Sequence, residues 1–186
     1  ADSKSLHHFS TNEIARGIAF NSDGTKCYIA GSKYELYGHK PGIFEWDLST
    51  AWDISTASYN NNVLVLTDSA DYVASGSNRT YDFGHIHFNS SGTQVFLIDQ
   101  KAEDIKQYDL TTAWDISTAT YSNKSFSLSN EMGAYPRGFA FDPDATKMYT
   151  VGSANDTVYQ YDTNGTWTLS SGSSDAPAEN SPVLNS

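Results

Sequence analysis

Two stretches of the chain are nearly the same. Trp46-Asp-Leu-Ser-Thr-Ala-Trp-Asp-Ile-Ser-Thr-Ala-Ser-Tyr59 returns 62 residues later as Tyr108-Asp-Leu-Thr-Thr-Ala-Trp-Asp-Ile-Ser-Thr-Ala-Thr-Tyr121. Agreement over fourteen positions marks an internal repeat. A repeat on this period makes each copy one supersecondary unit, whose apolar face is buried only when the next copy stacks on it. The fold must therefore be a row or a ring of similar units.

The rest of the chain follows the same plan. Arg16-Gly-Ile-Ala-Phe20, a turn at Asn21-Ser-Asp-Gly-Thr25 and Lys26-Cys-Tyr-Ile-Ala30 predict a strand, a hairpin turn and a second strand. The pattern recurs as His85-Ile-His-Phe88, Asn89 to Thr93 and Gln94 to Ile98, and again as Arg137 to Phe141, Asp142 to Thr146 and Lys147 to Val151. The second strands are apolar on both faces, as expected of sheets sandwiched between sheets. A third strand ends each unit at Trp46-Asp47, Tyr108-Asp109 or Tyr161-Asp162, and a loop follows with Trp52, Trp114 and Trp167 in register. These Trp residues read as filler under a loop. Asp53 and Asp115, each two residues before a Ser, read as side chains bonding their own backbone in a turn.

A fourth, outer strand is signalled at Asn62 to Thr67 and at Asn123 to Ser129, but nothing comparable follows Trp167. Its relative, Lys4-Ser-Leu-His-His-Phe-Ser10, stands before the first unit. The outer strands are thus one strand out of phase with the inner triplets. Unit one also carries an insertion, Lys33 to Gly42, read as a longer loop, and a long link from Asp68 to Tyr81. Loops of this kind are where function tends to sit.

Four-stranded antiparallel units recurring every 53 residues or a little more, each sandwiched by neighbours, describe the blades of an all-β β-propeller. The expected domain covers residues 1–169, with blades at about 16–67, 84–129 and 137–169 and with 4–10 as a swapped outer strand. Residues 170–186, rich in Ser, Gly and Pro, read as a flexible tail. The series Arg16 to Tyr28 with Trp46 to Leu48, and Arg137 to Lys147 with Tyr161-Asp162, resembles the propeller repeats of the YVTN and lactonase-like group. The Trp-Asp-Ile-Ser-Thr-Ala loop is also similar to repeats in marine bacterial and phage open reading frames. The resemblance implies a propeller fold; the group includes enzymes, binding proteins and surface or virion components. Propellers close with about four to eight blades, and this chain holds three. Closure is expected from another chain, through mutual strand addition that makes a six-bladed dimer, or from a longer polypeptide or larger assembly.

Charge narrows the partners. Lys and Arg total 11 against 22 Asp and Glu, giving a net charge of −11, a field that repels phosphate backbones and anionic membranes. Nucleic acid is not an expected partner. No run of about 18 apolar residues predicts a spanning helix. Cys27 is the one cysteine; Val95 and Met148 fill its slot in the other units, so it reads as a buried hydrophobe. A first residue of Ala suits a mature product, and an extracellular, cell-surface or virion location is expected. Sequons occur at Asn78, Asn89, Asn123, Asn155 and Asn164.

Candidate chemistry is sparse. His85 and His87 alternate on one strand and point to one side, either toward a common metal or anion or as part of a polar channel wall. Arg16 and Arg137 share the innermost strands. The aspartates of Asp142-Pro-Asp144 and Asp23-Gly24 belong to hairpin turns rather than to a calcium loop. No cofactor, metal site or catalytic set is expected. Tyr34, Tyr37 and His39 in the insertion and Tyr72 and Tyr81 in the link offer rings for a sugar or a protein interface. The expected function is a non-catalytic structural or interaction module. A lectin-like binder and a metal-dependent lactonase-like hydrolase are the alternatives.

Overall fold

A computed structural model of the chain describes residues 3–6, 14–35, 38–67, 83–129, 136–153, 157–163, 165 and 167–169, with the side chains of 33–40 left aside. Eleven strands run through these residues. Blade 1 holds β1 (Ile14–Phe20), β2 (Lys26–Glu35), β3 (Gly38–Leu48) and β4 (Ala57–Val65). Blade 2 holds β5 (Phe83–Phe88), β6 (Gln94–Asp99), β7 (Asp104–Leu110) and β8 (Ala119–Ser127), and blade 3 holds β9 (Pro136–Phe141), β10 (Lys147–Gly152) and β11 (Val158–Asp162). Each sheet is an antiparallel meander in sequence order. The expected all-β architecture of three propeller blades is present, with two blades four-stranded and the third three-stranded among the described residues.

The three hairpin turns are built alike. The side-chain oxygen of Asn21 accepts from Lys26 N–H, that of Asn89 from Thr93 and Gln94 N–H, and that of Asp142 from Lys147 N–H. Each side chain closes a turn that the backbone alone would leave underbonded. The buried Asn89 amide is used up in this way, so its sequon does not offer a free side chain.

The sheets stack face to face with β1 against β5 and β5 against β9, so the first strand of each blade lies innermost. The approach is close enough that a Cβ on Gly17 would meet the Gly84 carbonyl oxygen at 2.6 Å. Between blades 1 and 2 lies a core that includes Tyr28, Ile43, Ile86, Leu97 and Tyr108. A second core, between blades 2 and 3, includes Phe96, Ile98, Phe126, Met148 and Tyr161. A third, of Cys27, Ile29, Phe44, Trp46 and Leu48, lies on the face of blade 1 turned away from blade 2. Burying each such aliphatic or aromatic side chain contributes about 1.5–3 kcal/mol. Cys27 is buried as expected, and burial raises its thiol pKa to about 11, which leaves it unreactive.

Two expectations about elements need correcting. The insertion from Lys33 to Gly42 is not a free loop: its backbone extends the β2–β3 hairpin through the pairs Lys33 with Lys40, Tyr34 with His39 and Glu35 with Gly38. The outer strands start earlier than Asn62 and Asn123, at Ala57 and Ala119. The ladder is interrupted beside Asn61 and Asn123, whose φ values are +69° and +59°. A bulge of this kind breaks the alternation by which a strand is read from sequence.

Candidate functional site

The predicted site residues divide into three groups. Tyr37, Tyr72 and Tyr81 lie outside the described residues. Tyr34 and His39 face each other as a backbone pair in the β2–β3 extension. His85 and His87 stand on β5, and what they meet is aromatic. His85 lies edge-on to Phe139 at 5.3 Å, while His87 approaches Phe141 at 5.6 Å and stacks on Trp167 at 5.6 Å with 14° between the planes. His85 also borders a cleft of about 330 Å³ along blade 3, beside Phe139, Tyr149 and Val151.

Burial lowers the pKa of both imidazoles, and that of His87, which also feels His85, falls to about 4. Desolvation favours the neutral ring. The folded state therefore resists protonation of His87 between its ordinary value near 6.5 and about 4, while the unfolded chain takes up the proton in that window. Stability contributed by the neutral ring is complete above pH 6.5 and declines as pH falls. For a half-buried ring the loss is about 1–2 kcal/mol. Lowering pH from 7 to 4.5 should reduce the melting temperature of the wild type by about 3–6 °C more than that of His87→Leu. Parallel curves would remove His87 from the acid response. Among the described residues no group of three or more His, Cys, Asp or Glu side chains gathers as a metal site.

The Trp loops behave differently in the three blades. Trp52 and Trp114 have left-handed backbones, φ +64° and +62°, and their N–H groups donate to the carbonyls of Gly24 and Gly92. Their rings lie over those glycines, which leave no room for a Cβ. In blade 3 the glycine slot holds Ala145, and the Thr163 hydroxyl donates to its carbonyl. Trp167 instead wedges between blades, against His87, Phe96 and Phe141. Reading all three Trp residues as filler therefore fails for Trp52, which is exposed although it packs on Phe20. Asp53 and Asp115 do close turns as read, accepting from the backbone N–H of Ser55 and Ser117 at 3.1 Å.

The best-defined chemistry lies in the seams between blades. From blade 1, the Tyr28 hydroxyl donates to the Trp114 carbonyl, Glu45 accepts from Ile116 N–H at 2.9 Å, and Asn62 donates to Asp115. From blade 2, Gln107 accepts from Leu169 N–H at 2.9 Å, and Phe126 meets Tyr161 edge-on at 4.9 Å. On the far side of blade 1, Lys4 donates to Asp53 at 2.6 Å, and Leu6 packs on the Cys27–Trp46 cluster. Sequence reasoning missed these seam residues, although aligning the repeats places Glu45, Gln107 and Gln160 in one slot opposite Tyr28, Phe96 and Tyr149. The geometry suits surface recognition between sheets.

No protein-family model matches the chain, and no curated protein matches it. Solved structures do. A Bacteroides fragilis protein assigned as a 6-phosphogluconolactonase aligns with TM-score 0.53 at 12% identity, over 89% of this chain and 42% of its own. A Bacteroides uniformis protein assigned the same way aligns with TM-score 0.52 at 11% identity, over 84% of this chain and 39% of its own. The β-propeller domain of Cps50 (Swd1) from Myceliophteria thermophila is also similar, with TM-score 0.45 at 11% identity, over 86% of this chain and 44% of its own. The chain spans about two fifths of the length of the structures it matches, and at these identities the likeness is one of fold alone: a partial β-propeller.

Proposed function

We propose that the chain is a non-catalytic β-propeller interaction module that acts within an extracellular, cell-surface or virion assembly. One observation carries this reading: both end faces of the three-blade row present large apolar side chains, Ile18 and Trp52 on blade 1 and Val151 and Val158 on blade 3. The residues at the positions equivalent to Ile18, Val151 and Val158 inside the row, Ile86, Ala30 and Ile43, are buried between blades, which makes the exposed end faces suited to contact. The acidic net charge of −11 keeps such a module off nucleic acid and anionic lipid.

Sedimentation of the purified chain, together with a lactone hydrolysis assay run with and without divalent cations, tests the reading. The expected result is association of more than one copy, in any stoichiometry, and no acceleration over the spontaneous rate with δ-lactones, 6-phosphogluconolactone included. A single-copy species, or saturable turnover, overturns the proposal.

A further inference from the structure

We infer that blade 3 of one copy docks on blade 1 of a second copy, with residues 4–6 of that second copy completing the blade 3 sheet, so that two copies close a six-bladed ring. The inference rests on the interaction-module reading and names its partner. It follows from comparing the seams inside the chain with the faces left at its ends.

Each blade has a forward face and a rear face. The forward face of blade 1, turned to blade 2, carries Gly17, Ala19, Tyr28, Ala30, Ile43 and Glu45. The equivalent positions of blade 3 hold Gly138, Ala140, Tyr149, Val151, Val158 and Gln160. Glycine, alanine, tyrosine and two aliphatic residues recur, and the last slot keeps a side-chain acceptor. Blade 2 differs, because His85, His87 and Phe96 occupy the first three matching slots. Blade 3 therefore offers the surface that blade 1 offers to blade 2, with one change: Ala30 and Ile43 are 0% exposed, whereas Val151 and Val158 are 40% and 38% exposed.

The rear face of blade 1 answers that surface. Ile18, Phe20, Cys27, Ile29 and Trp46 match Ile86, Phe88, Val95, Leu97 and Tyr108, the rear face by which blade 2 receives blade 1. Ile86 is 2% exposed and Ile18 is 56% exposed, whereas Cys27, Ile29 and Trp46 are already buried within the single chain, so the second copy meets this face chiefly at Ile18 and the exposed Trp52. Repeating the blade 1–blade 2 seam puts the Tyr149 hydroxyl on the Trp52 carbonyl of the second copy, as Tyr28 sits on Trp114, and brings Gln160 to its Ile54 N–H, as Glu45 meets Ile116.

The outer strand obeys the same rule. On β4, Asn62 reaches the loop aspartate Asp115 of the next blade while Leu64 packs into the seam. Lys4 and Leu6 do the same to blade 1, through Asp53 and the Cys27–Trp46 cluster. They occupy the place of a preceding blade's outer strand. Among the described residues β11 is the edge of its sheet, and an edge strand is a template for pairing. Copying the register Gln107 with Lys124 and Ile105 with Phe126 predicts Gln160 opposite Lys4, and Val158 opposite Leu6, of the second copy. The chain's own residues 172–180 stand at the corresponding distance after Trp167. They hold no aliphatic residue larger than alanine and no aromatic, and Pro177 has no N–H to give a ladder. Six blades lie within the range of about four to eight in which propellers close.

Disulfide trapping tests the pairing. Directly opposed residues on antiparallel strands lie within disulfide reach. Leu6→Cys chains mixed with Val158→Cys chains, oxidised and run without reductant, should give a covalent species of about 41 kDa, twice the 20.4 kDa chain. Each variant alone should not. Ile18→Glu and Val151→Lys alter exposed side chains, so the single chain should keep its fold, yet each should shift sedimentation from two copies to one. An associated species that gives no cross-link and withstands both charge substitutions overturns strand exchange but leaves the interaction-module reading standing. A single-copy species removes both. A cross-link that forms only when residues 170–186 are deleted would also overturn the pairing, because it would assign the β11 edge of the intact chain to its own tail.

Discussion

Glu45→Ala should lower the stability of the chain by about 3–5 kcal/mol, a large part of the 5–15 kcal/mol that holds a typical domain together. Glu45 is 0% exposed. Its carboxylate accepts from Lys26 Nζ, from Asn60 Nδ2 at 2.7 Å, from Asn62 Nδ2 at 3.4 Å and, across the seam, from Ile116 N–H at 2.9 Å. Alanine leaves these donors without their acceptor. Lys26 keeps Asp47 at 3.0 Å and partial contact with water. The buried Ile116 N–H cannot recover so easily, and an orphaned donor there costs about 1–3 kcal/mol by itself. Glu45→Gln separates the contributions, because the amide oxygen can still serve Ile116, as Gln107 serves Leu169 in the next seam. The glutamine variant should lose about 1–2 kcal/mol. Urea denaturation of the wild type and both variants makes the comparison. Equal losses for Gln and Ala would show that the ion pair with Lys26, rather than the seam hydrogen bond, is what Glu45 supplies.

That role was not legible in the strand Ile43-Phe-Glu-Trp46. Period-two alternation places Glu45 on the face opposite Phe44 and Trp46, which reads as a solvent-facing position. Its partner lies 71 residues away in the loop of the next blade. What the repeats did show was local: the three hairpin turns and the aspartate turns after Trp52 and Trp114. Bulges at Asn61 and Asn123 hid the first half of β4 and β8, because a left-handed residue within a strand breaks the alternation. The histidine pair was legible as a pair and not as an environment. Alternation put His85 and His87 on one side, but the rings that make this side apolar belong to blade 3. Trp167 was aligned correctly in sequence and still sits elsewhere; the glycine that Trp52 and Trp114 cover is replaced in blade 3 by Ala145.

Gly92→Ala tests that last point. At φ +69° an L-residue costs about 1 kcal/mol relative to glycine, and Ala145 at φ +52° shows that the chain accepts such a cost. The rest comes from the Trp114 ring, whose atoms lie 2.2 Å from where the new Cβ would stand. Overpacking of that order costs about 1–3 kcal/mol, so the total loss should be about 2–4 kcal/mol. The ring has one way to relieve the contact, which is to leave the glycine as Trp167 leaves Ala145. In blade 2 that movement gives up the Trp114 N–H bond to Gly92 and disturbs the carbonyl held by Tyr28 from blade 1. In a Trp114→Ala background the ring is absent, and Gly92→Ala should then cost about 1 kcal/mol, the backbone part alone. A double-mutant cycle in chemical denaturation reads the difference as a coupling of about 1–3 kcal/mol between residues 92 and 114. A coupling near zero would mean that the left-handed turn, and not the Trp cover, is what requires glycine in blades 1 and 2. The departure of Trp167 from its hairpin would then need a cause other than Ala145.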